Sequence, residues 1–421
     1  MSTVLHRVHD ACVVWTMGND ELLDNLTKQE FDVAIIDALF FFKCIYLIPH
    51  RLQVPWITYS DMIDPLIARM PWLPSFVPNG LLPYTDRMSF LQRLTNSASV
   101  FAFSLFFPSL GPGLPADVAE RYQQYGAFSS LDDLMSRSRF WLYTKDSCVL
   151  DYPRPMMPNA VEVGGLTVKR TSGKLPPDIQ RFVDEARNGV VLVTFGSTIA
   201  SLPTAIAVKF LAAFRRLDGY RMLWRMKNPD GLDIPDNVMI SDWLPQNDIL
   251  AHPAVKLFIT HCGNNGQLEA LFHGIPMIGF PVAADQGYNA RRLDYRGYGL
   301  SMNLYDFTAD ELLNNIHKVL GDASYKQRVQ KASEIFRSQA QSPVERATFW
   351  IEHVCRFGGD HLRSAGNDLP LYSYLMLDVL VFILIILHFL VFLLYKLVRF
   401  TVNRCCRHTA CNGSVRKQKD D

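Results

Sequence analysis

Between Phe258 and Gln286 the chain reads FITHCGNNGQLEALFHGIPMIGFPVAADQ. An apolar strand here runs into a Gly-Asn turn and opens a helix, which offers unpaired backbone N–H groups and a positive dipole end to an anion. A phosphate suits that position. Gly263 and Gly266 permit close backbone approach, His261 and Asn265 can donate hydrogen bonds, and Glu269, a turn further on, can accept from a ribose diol. Trp243, in DWLPQND, offers a flat face for a nucleobase, and Gln246 carries both a donor and an acceptor for its edge or ribose. Asp285 and Gln286 close the strand PMIGFPV, where an acceptor beside an amide suits the vicinal hydroxyls of a sugar. Ser197, ending VVLVTFGS, falls at the same sheet edge and can donate to a phosphate.

Each residue taken singly has a plainer reading: Trp243 as core packing, His261 as a satisfied turn histidine, Glu269 on a solvated helix face, Asp285 as an N-cap. Together they occupy successive strand ends in the order that nucleotide recognition needs, and the collective reading is preferred.

The elements that position them alternate. VVLVTFGS, YRMLWRM, VMISDWLP, VKLFITHCG and PMIGFPV are short apolar runs, separated by helices through Ala205–Leu217 and Asn265–His273. That alternation predicts a parallel sheet covered on both faces, with ligands beyond the carboxyl ends of its strands. Amphipathic segments at Ala309–Leu320, Tyr325–Gln339 and Val344–Phe357 read as closing helices. Upstream, FDVAIIDALF (Phe31–Phe40) reads as a strand and Met88–Thr95 as helical, and the prolines of DYPRPMMP (Asp151–Pro158) read as a linker. The expected division is 1–150, a partial domain; 151–365, a nucleotide-binding domain; 374–395, a transmembrane helix; and 396–421, a basic tail.

At 421 residues the chain exceeds what one hydrophobic core usually supports, and its net charge of +1 argues against a nucleic-acid partner. Small-molecule chemistry remains. The eight cysteines are too few for a disulfide scaffold, and no pair has metal-ligand spacing; Cys262 reads as packing. Cys405, Cys406 and Cys411 lie beside the anchor, as plain thiols or S-acylation sites.

From Tyr374 to Tyr395 the residues are almost wholly apolar and long enough to span a bilayer, and the basic tail that follows belongs in the cytosol by the positive-inside bias. Lys417 and Lys419 lie in a pattern resembling a dilysine retrieval signal. MSTVLHRVHDACVVW has no charged region leading into an apolar segment and cleavage site, so nothing there starts translocation and an N-terminal part is expected to be missing.

The stretch Phe258–Gln286 resembles the UDP-glycosyltransferase signature, and the likeness, closest to the membrane-anchored UDP-glucuronosyltransferases, extends from about Asp10 through FDVAIIDALF, DRMSFLQR, DYPRPMMPN, FGS, WLPQNDILAHP, VERATFWIEHV and the anchor. The resemblance implies an α/β protein of GT-B type: two Rossmann-like domains, the N-terminal one incomplete here and acceptor-binding, the C-terminal one donor-binding. Trp243 would then stack on uracil; Gln246 and Glu269 would hold the uridine; Ser197, His261, Asn265 and Gly266 the diphosphate; Asp285 and Gln286 the sugar. The implied reaction is metal- and cofactor-independent, with the UDP-sugar as co-substrate: a base histidine oriented by an aspartate deprotonates a hydroxyl of a small lipophilic acceptor, which attacks with inversion. Asp37 matches that aspartate, although a helix cap is its plainer reading. The histidine's counterpart falls upstream of residue 1, and His6 and His9 do not match it. A lone carboxylate has a low proton affinity for activating an alcohol at neutral pH.

Where glucuronosyl-transferring relatives carry an arginine this chain has Thr144, with Lys145 adjacent, so glucuronate and a neutral hexose both stand as donor sugars. The implied setting is a single-pass endoplasmic-reticulum protein with a lumenal body, able to form homo- or hetero-oligomers with related transferases. A catalytically incomplete UDP-sugar-binding form is the alternative.

Overall fold

The computed structural model describes residues 18–38, 43–106, 114–170, 173–197, 199, 201–227 and 231–416, and for 105–106 and 405–416 the backbone alone. His6, His9, Lys417 and Lys419 lie outside these residues, as do the side chains of Cys405, Cys406 and Cys411.

Two parallel sheets organise the chain up to Arg363. The first holds β1 (Ala34–Asp37), β2 (Trp56–Ser60), β3 (Phe140–Tyr143) and β4 (Ala160–Glu162), side by side in that order. The second holds β5 (Gly189–Thr194), β6 (Tyr220–Arg225), β7 (Val238–Ser241), β8 (Val255–Thr260), β9 (Met277–Gly279) and β10 (Gly299–Ser301). Its spatial order is β10-β9-β8-β5-β6-β7, so the winding reverses between β5 and β8. A crevice opens at such a reversal, beyond the carboxyl ends of the strands.

The second sheet is buried on both faces, which is why its strands are continuously apolar instead of alternating. Val190 and Leu192 pack with Phe258, Leu268 and Phe272 on one face; Val191 and Val193 pack with Phe210, Trp224 and Ile259 on the other. Helices Thr204–Phe214 and Asn264–Phe272 stand within about a residue or two of the expected helix starts. The helical stretch read at Met88 begins at Phe90, where Ser89 and Gln92 form a capping box, and runs to Phe101.

The expected division at residue 150 is crossed twice. β4 pairs with β3 through Trp141–Ala160, Leu142–Val161 and Tyr143–Glu162, placing residues 160–162 in the first sheet. Helix Pro343–Phe357 also returns to that sheet: Trp350 stacks on Phe140 at 4.6 Å between ring centroids, and Ala347 and Val354 join Ile57 and Leu142. The segment read as a linker is no solvated tether, because Asp151 and Tyr152 are wholly buried. Local proline content signals a lack of regular structure but carries no information about burial.

Residues Ser364–Asp421 form a second unit. Its main element is helix Leu377–Arg416, of which Leu377–Arg404 is long and apolar enough to cross a membrane. The span read from Tyr374 starts later, because Tyr374 closes a separate short helix and Met376 adopts a left-handed φ of 55° that breaks the run.

Candidate active site

All the sequence-derived site residues except Trp243 and Glu269 line one polar cavity. Ser197 follows β5 and Gln246 opens the short helix after β7; His261, Asn265 and Gly266 follow β8, and Asp285 and Gln286 follow β9. Asp37, at the end of β1, faces them from the first sheet.

Gly263 stands at the N-cap of helix Asn264–Phe272 with no side chain to cap it, so the first amides open onto the cavity. His261 is held against this turn by two glycines. A Cβ on Gly196 would stand 2.6 Å from its ring and one on Gly263 2.5 Å, and Gly196 also has a φ of +79°. Burial holds the His261 imidazole below its ordinary value, against the opposing pull of Asp285 and the Thr194 backbone. A neutral, hydrogen-bonding imidazole therefore faces the cavity near neutral pH.

Gln246 Nε2 donates to Glu269 Oε2 at 2.6 Å, and the Glu269 carboxyl, buried behind it, is pushed above its usual range by that burial. Glu269 is thus neither a solvated helix-face residue nor part of the cavity wall. Trp243 is 65% exposed beyond the end of β7 and stands outside the cavity lining, with its indole face open. Gln286 uses Oε1 to accept from the amides of Val282 and Ala283, which leaves its NH2 group for the cavity. Asp285 occupies the N-cap of helix Gln286–Arg296 without capping it; Oδ2 accepts instead from Asn289 at 2.6 Å and Lys145 at 3.5 Å. Cys262 is wholly buried and its thiol is pushed up by that burial, in keeping with packing.

A buried polar frame beneath the cavity has no local signature in the sequence. Arg292, with no exposed surface, donates to Asn264 Oδ1 at 2.7 Å and Gln267 Oε1 at 3.0 Å, fixing the helix that presents the open amides. It lies 3.5 Å from Asp151. Burial raises Asp151, yet Arg154, Arg292, Lys145 and the Tyr288 hydroxyl together hold its carboxyl below the usual range. Asn264 Nδ2 in turn donates to the Thr144 carbonyl at 2.7 Å, tying β3 to the same turn.

A second, largely apolar cavity lies against the first. Met62, Ile67, Met70, Trp72, Val100, Phe103, Tyr143 and Tyr288 supply its wall, with Lys145 among its polar members. Asp61, just past β2, lines both cavities, and among the described residues it alone does so. Its position one residue beyond a strand end was the signal that could have found it. Burial pushes the Asp61 carboxyl up, with Lys145 opposing and Asp285 reinforcing the shift. Asp37 is shifted up too, by its own partial burial and then by Asp61.

Comparisons with known proteins agree with this arrangement. The family model described as "UDP-glucoronosyl and UDP-glucosyl transferase" matches residues 1–411. The chain is 33% identical over 423 residues to UDP-glucuronosyltransferase 2C1 of Oryctolagus cuniculus, covering 99% of this chain and 81% of that protein. It is 34% identical over 399 residues to a UDP-glucuronosyltransferase of Pleuronectes platessa, covering 93% and 83%. Among solved structures, the spinosyn forosaminyltransferase SpnP superposes with a TM-score of 0.56 at 18% identity, over 80% of this chain and 79% of that one. The calicheamicin glycosyltransferase CalG4 gives 0.54 at 15% identity, over 82% of each chain. These two likenesses speak to fold alone. With two facing parallel sheets, a polar crevice at the winding reversal and near-complete coverage by the family model, the chain belongs to the UDP-glucoronosyl and UDP-glucosyl transferase family and is a UDP-sugar-dependent glycosyltransferase of GT-B fold.

Proposed function

We propose that the chain transfers a neutral hexose from a UDP-hexose to a hydroxyl of a small lipophilic acceptor, by a single displacement with inversion. One observation carries this reading: a polar cavity with open helix amides adjoins an apolar cavity, and the two share Asp61. The diphosphate takes the amides of helix Asn264–Phe272 with His261, Asn265, Gly266 and Ser197. Gln246 holds the uridine with Glu269 bracing it from behind through their 2.6 Å hydrogen bond, Trp243 stacks on its base, and Asp285 and Gln286 hold the sugar hydroxyls. Fixed amides and a helix dipole stabilise charge as it develops on the leaving diphosphate, which is the role that metal-independent departure asks of them.

The polar cavity favours a neutral sugar. Asp37, Asp61 and Asp285 line it, and among the described residues no lysine or arginine does. Lys145 lines the apolar cavity and is engaged by Asp285 and Asn289. A hexuronate carboxylate would meet three carboxylates and, among the described lining residues, no lysine or arginine, an arrangement that disfavours it by like-charge repulsion.

We place the body in the lumen of the endoplasmic reticulum, anchored by the C-terminal helix. The basic residues after the span support that orientation. Cys44 is disulfide-bonded, which suits an oxidising compartment. The test supplies microsomes carrying the chain with α-linked UDP-glucose or UDP-glucuronate and a lipophilic phenol. A β-glucoside formed in preference to the glucuronide supports the reading; preference for UDP-glucuronate, or an α-product, overturns it.

A further inference from the structure

We infer that Asn247 is a positioning residue for the nucleotide: by gripping Lys169, in the segment that joins the two sheets, it fixes the neighbouring Gln246 against the uridine. This rests on the uridine assignment proposed above and adds to it what holds Gln246 in place.

Gln246 needs support from outside its own helix. It opens helix Gln246–Leu250, which is 5 residues long and begins after Pro245 with no side-chain cap. So short a helix has too few internal hydrogen bonds to hold its own position. One support is Glu269, which accepts from Gln246 Nε2 at 2.6 Å.

The other support comes from the next two residues. Asn247 Oδ1 accepts from the Lys169 amide at 3.2 Å while Nδ2 donates to the Lys169 carbonyl at 3.4 Å, so one side chain takes both backbone groups of one residue. Asp248 Oδ1 accepts from the Gly173 amide at 2.8 Å. His273 completes the junction, with Nε2 at 3.1 Å from the same Asn247 Oδ1. Burial, reinforced by Arg337, holds His273 down to about 4, so its neutral ring donates there. Asn247 is itself buried, and a buried amide with its partners in place is costly to unmake.

The gripped segment is anchored at its start as well. The Gly164 amide donates to the Lys145 carbonyl at 2.9 Å, and a Cβ on Gly164 would stand 2.5 Å from that carbonyl carbon, an approach that only glycine permits. Further along, the Thr167 hydroxyl and Lys169 oppose the rise that burial imposes on the Glu269 carboxyl. Both supports of Gln246, Glu269 and Asn247, therefore meet the same stretch of chain.

Asn247 does not line the polar cavity, so its influence on the nucleotide passes through Gln246. The diphosphate end has its own brace, because Arg292 holds Asn264 and Gln267 of the helix that presents the open amides. Loss of Asn247 thus loosens the uridine end and spares the phosphate end.

The test measures binding to the detergent-extracted full chain by calorimetry, with UDP and inorganic pyrophosphate as probes. Asn247→Ala should weaken UDP about tenfold while pyrophosphate stays within about twofold, a split that general loss of structure would not give. In a Gln246→Ala background the same change should cost nothing further, because the two residues act through one contact. Asn247→Asp, which can still accept from Lys169 and His273, should recover most of the affinity. Unchanged UDP affinity in Asn247→Ala, equal loss of both probes, or full additivity with Gln246→Ala overturns the inference. If the alanine variant does not fold, hydrogen exchange of the wild type decides: UDP, and not pyrophosphate, should slow exchange of the Lys169 and Gly173 amides. Protection by neither probe, or by both equally, overturns the inference. Failure of the underlying uridine assignment looks different, since Gln246→Ala would itself leave UDP affinity unchanged and both readings would fall.

Discussion

Lys145 Nζ lies 3.5 Å from Asp285 Oδ2, with the lysine side chain 1% exposed and the aspartate side chain 12%. The pair joins the end of β3 in one sheet to the head of helix Gln286–Arg296 in the other, so the polar cavity is walled by two sheets clasped through a buried ion pair.

Breaking that pair from one side should be costly. Lys145→Met leaves the Asp285 carboxylate buried without its ammonium, and loss of one partner in such a setting typically costs about 3 kcal/mol. Urea unfolding of the detergent-extracted chain should show a correspondingly lower midpoint at an unchanged slope. Wild-type stability would mean that the pair is not a clasp.

The two glycines around His261 make a second prediction. Gly196→Ala forces a Cβ into the imidazole and places alanine at a left-handed φ, a strain of about 1–3 kcal/mol. Gly263→Ala meets the same ring without the φ penalty. Both should weaken UDP binding tenfold or more by displacing His261, with Gly196→Ala the less stable of the two on thermal unfolding.

Glu269 should trade stability for function. Its carboxyl is raised in the folded state, so it favours folding while protonated and that contribution is lost as pH rises through the raised value. At neutral pH the ionised, buried group is a liability. Glu269→Gln, which can still accept from Gln246, should therefore raise the melting temperature at pH 7 while weakening UDP binding about tenfold, as loss of a charge-assisted contact is worth roughly 1.5–3 kcal/mol. Trp243→Ala should match that loss of affinity without changing stability, because the indole is exposed.

His261 supplies a pH signature. Its folded value is depressed, so the free protein loses stability as pH falls below the ordinary imidazole range. A diphosphate beside the ring would favour its protonated form, so binding UDP-hexose should take up a proton and tighten between pH 8 and pH 6. Calorimetry in buffers of different ionisation enthalpy reads this directly. His261→Ala should abolish the proton uptake.

Topology can be read from glycans. Asn25 is exposed on helix Asp20–Thr27, within an Asn-Leu-Thr sequon, and Asn412 follows the apolar span within Asn-Gly-Ser. A lumenal body predicts modification at Asn25 and none at Asn412, checked by endoglycosidase shift of Asn→Gln variants. A glycan at Asn412 would reverse the orientation.

What the sequence revealed was local. The turn from Thr260 to Asn265 announces itself because glycine, asparagine and the flanking apolar strand are contiguous and the anion site is built from their own backbone. The helix at Phe90 was legible through its period and cap in the same way. Asp61 carries no local mark of this kind, because the feature that distinguishes it, contact with two cavities, depends on segments as distant as Phe103 and His261. Asp151 looks like part of a linker in sequence because its partners Arg292 and Tyr288 lie more than a hundred residues away and only tertiary packing buries it. The first sheet's recruitment of residues 160–162 and 343–357 was hidden for the same reason: a short strand and an amphipathic helix declare that they need a partner without declaring which.

The most direct test titrates UDP-glucose into the detergent-solubilised full chain and its Glu269→Ala variant by calorimetry. The wild type should bind saturably at one site, and the variant about tenfold or more weaker, by loss of ~1–3 kcal/mol. Equal affinity in both, or no binding by the wild type, would contradict the proposed donor site.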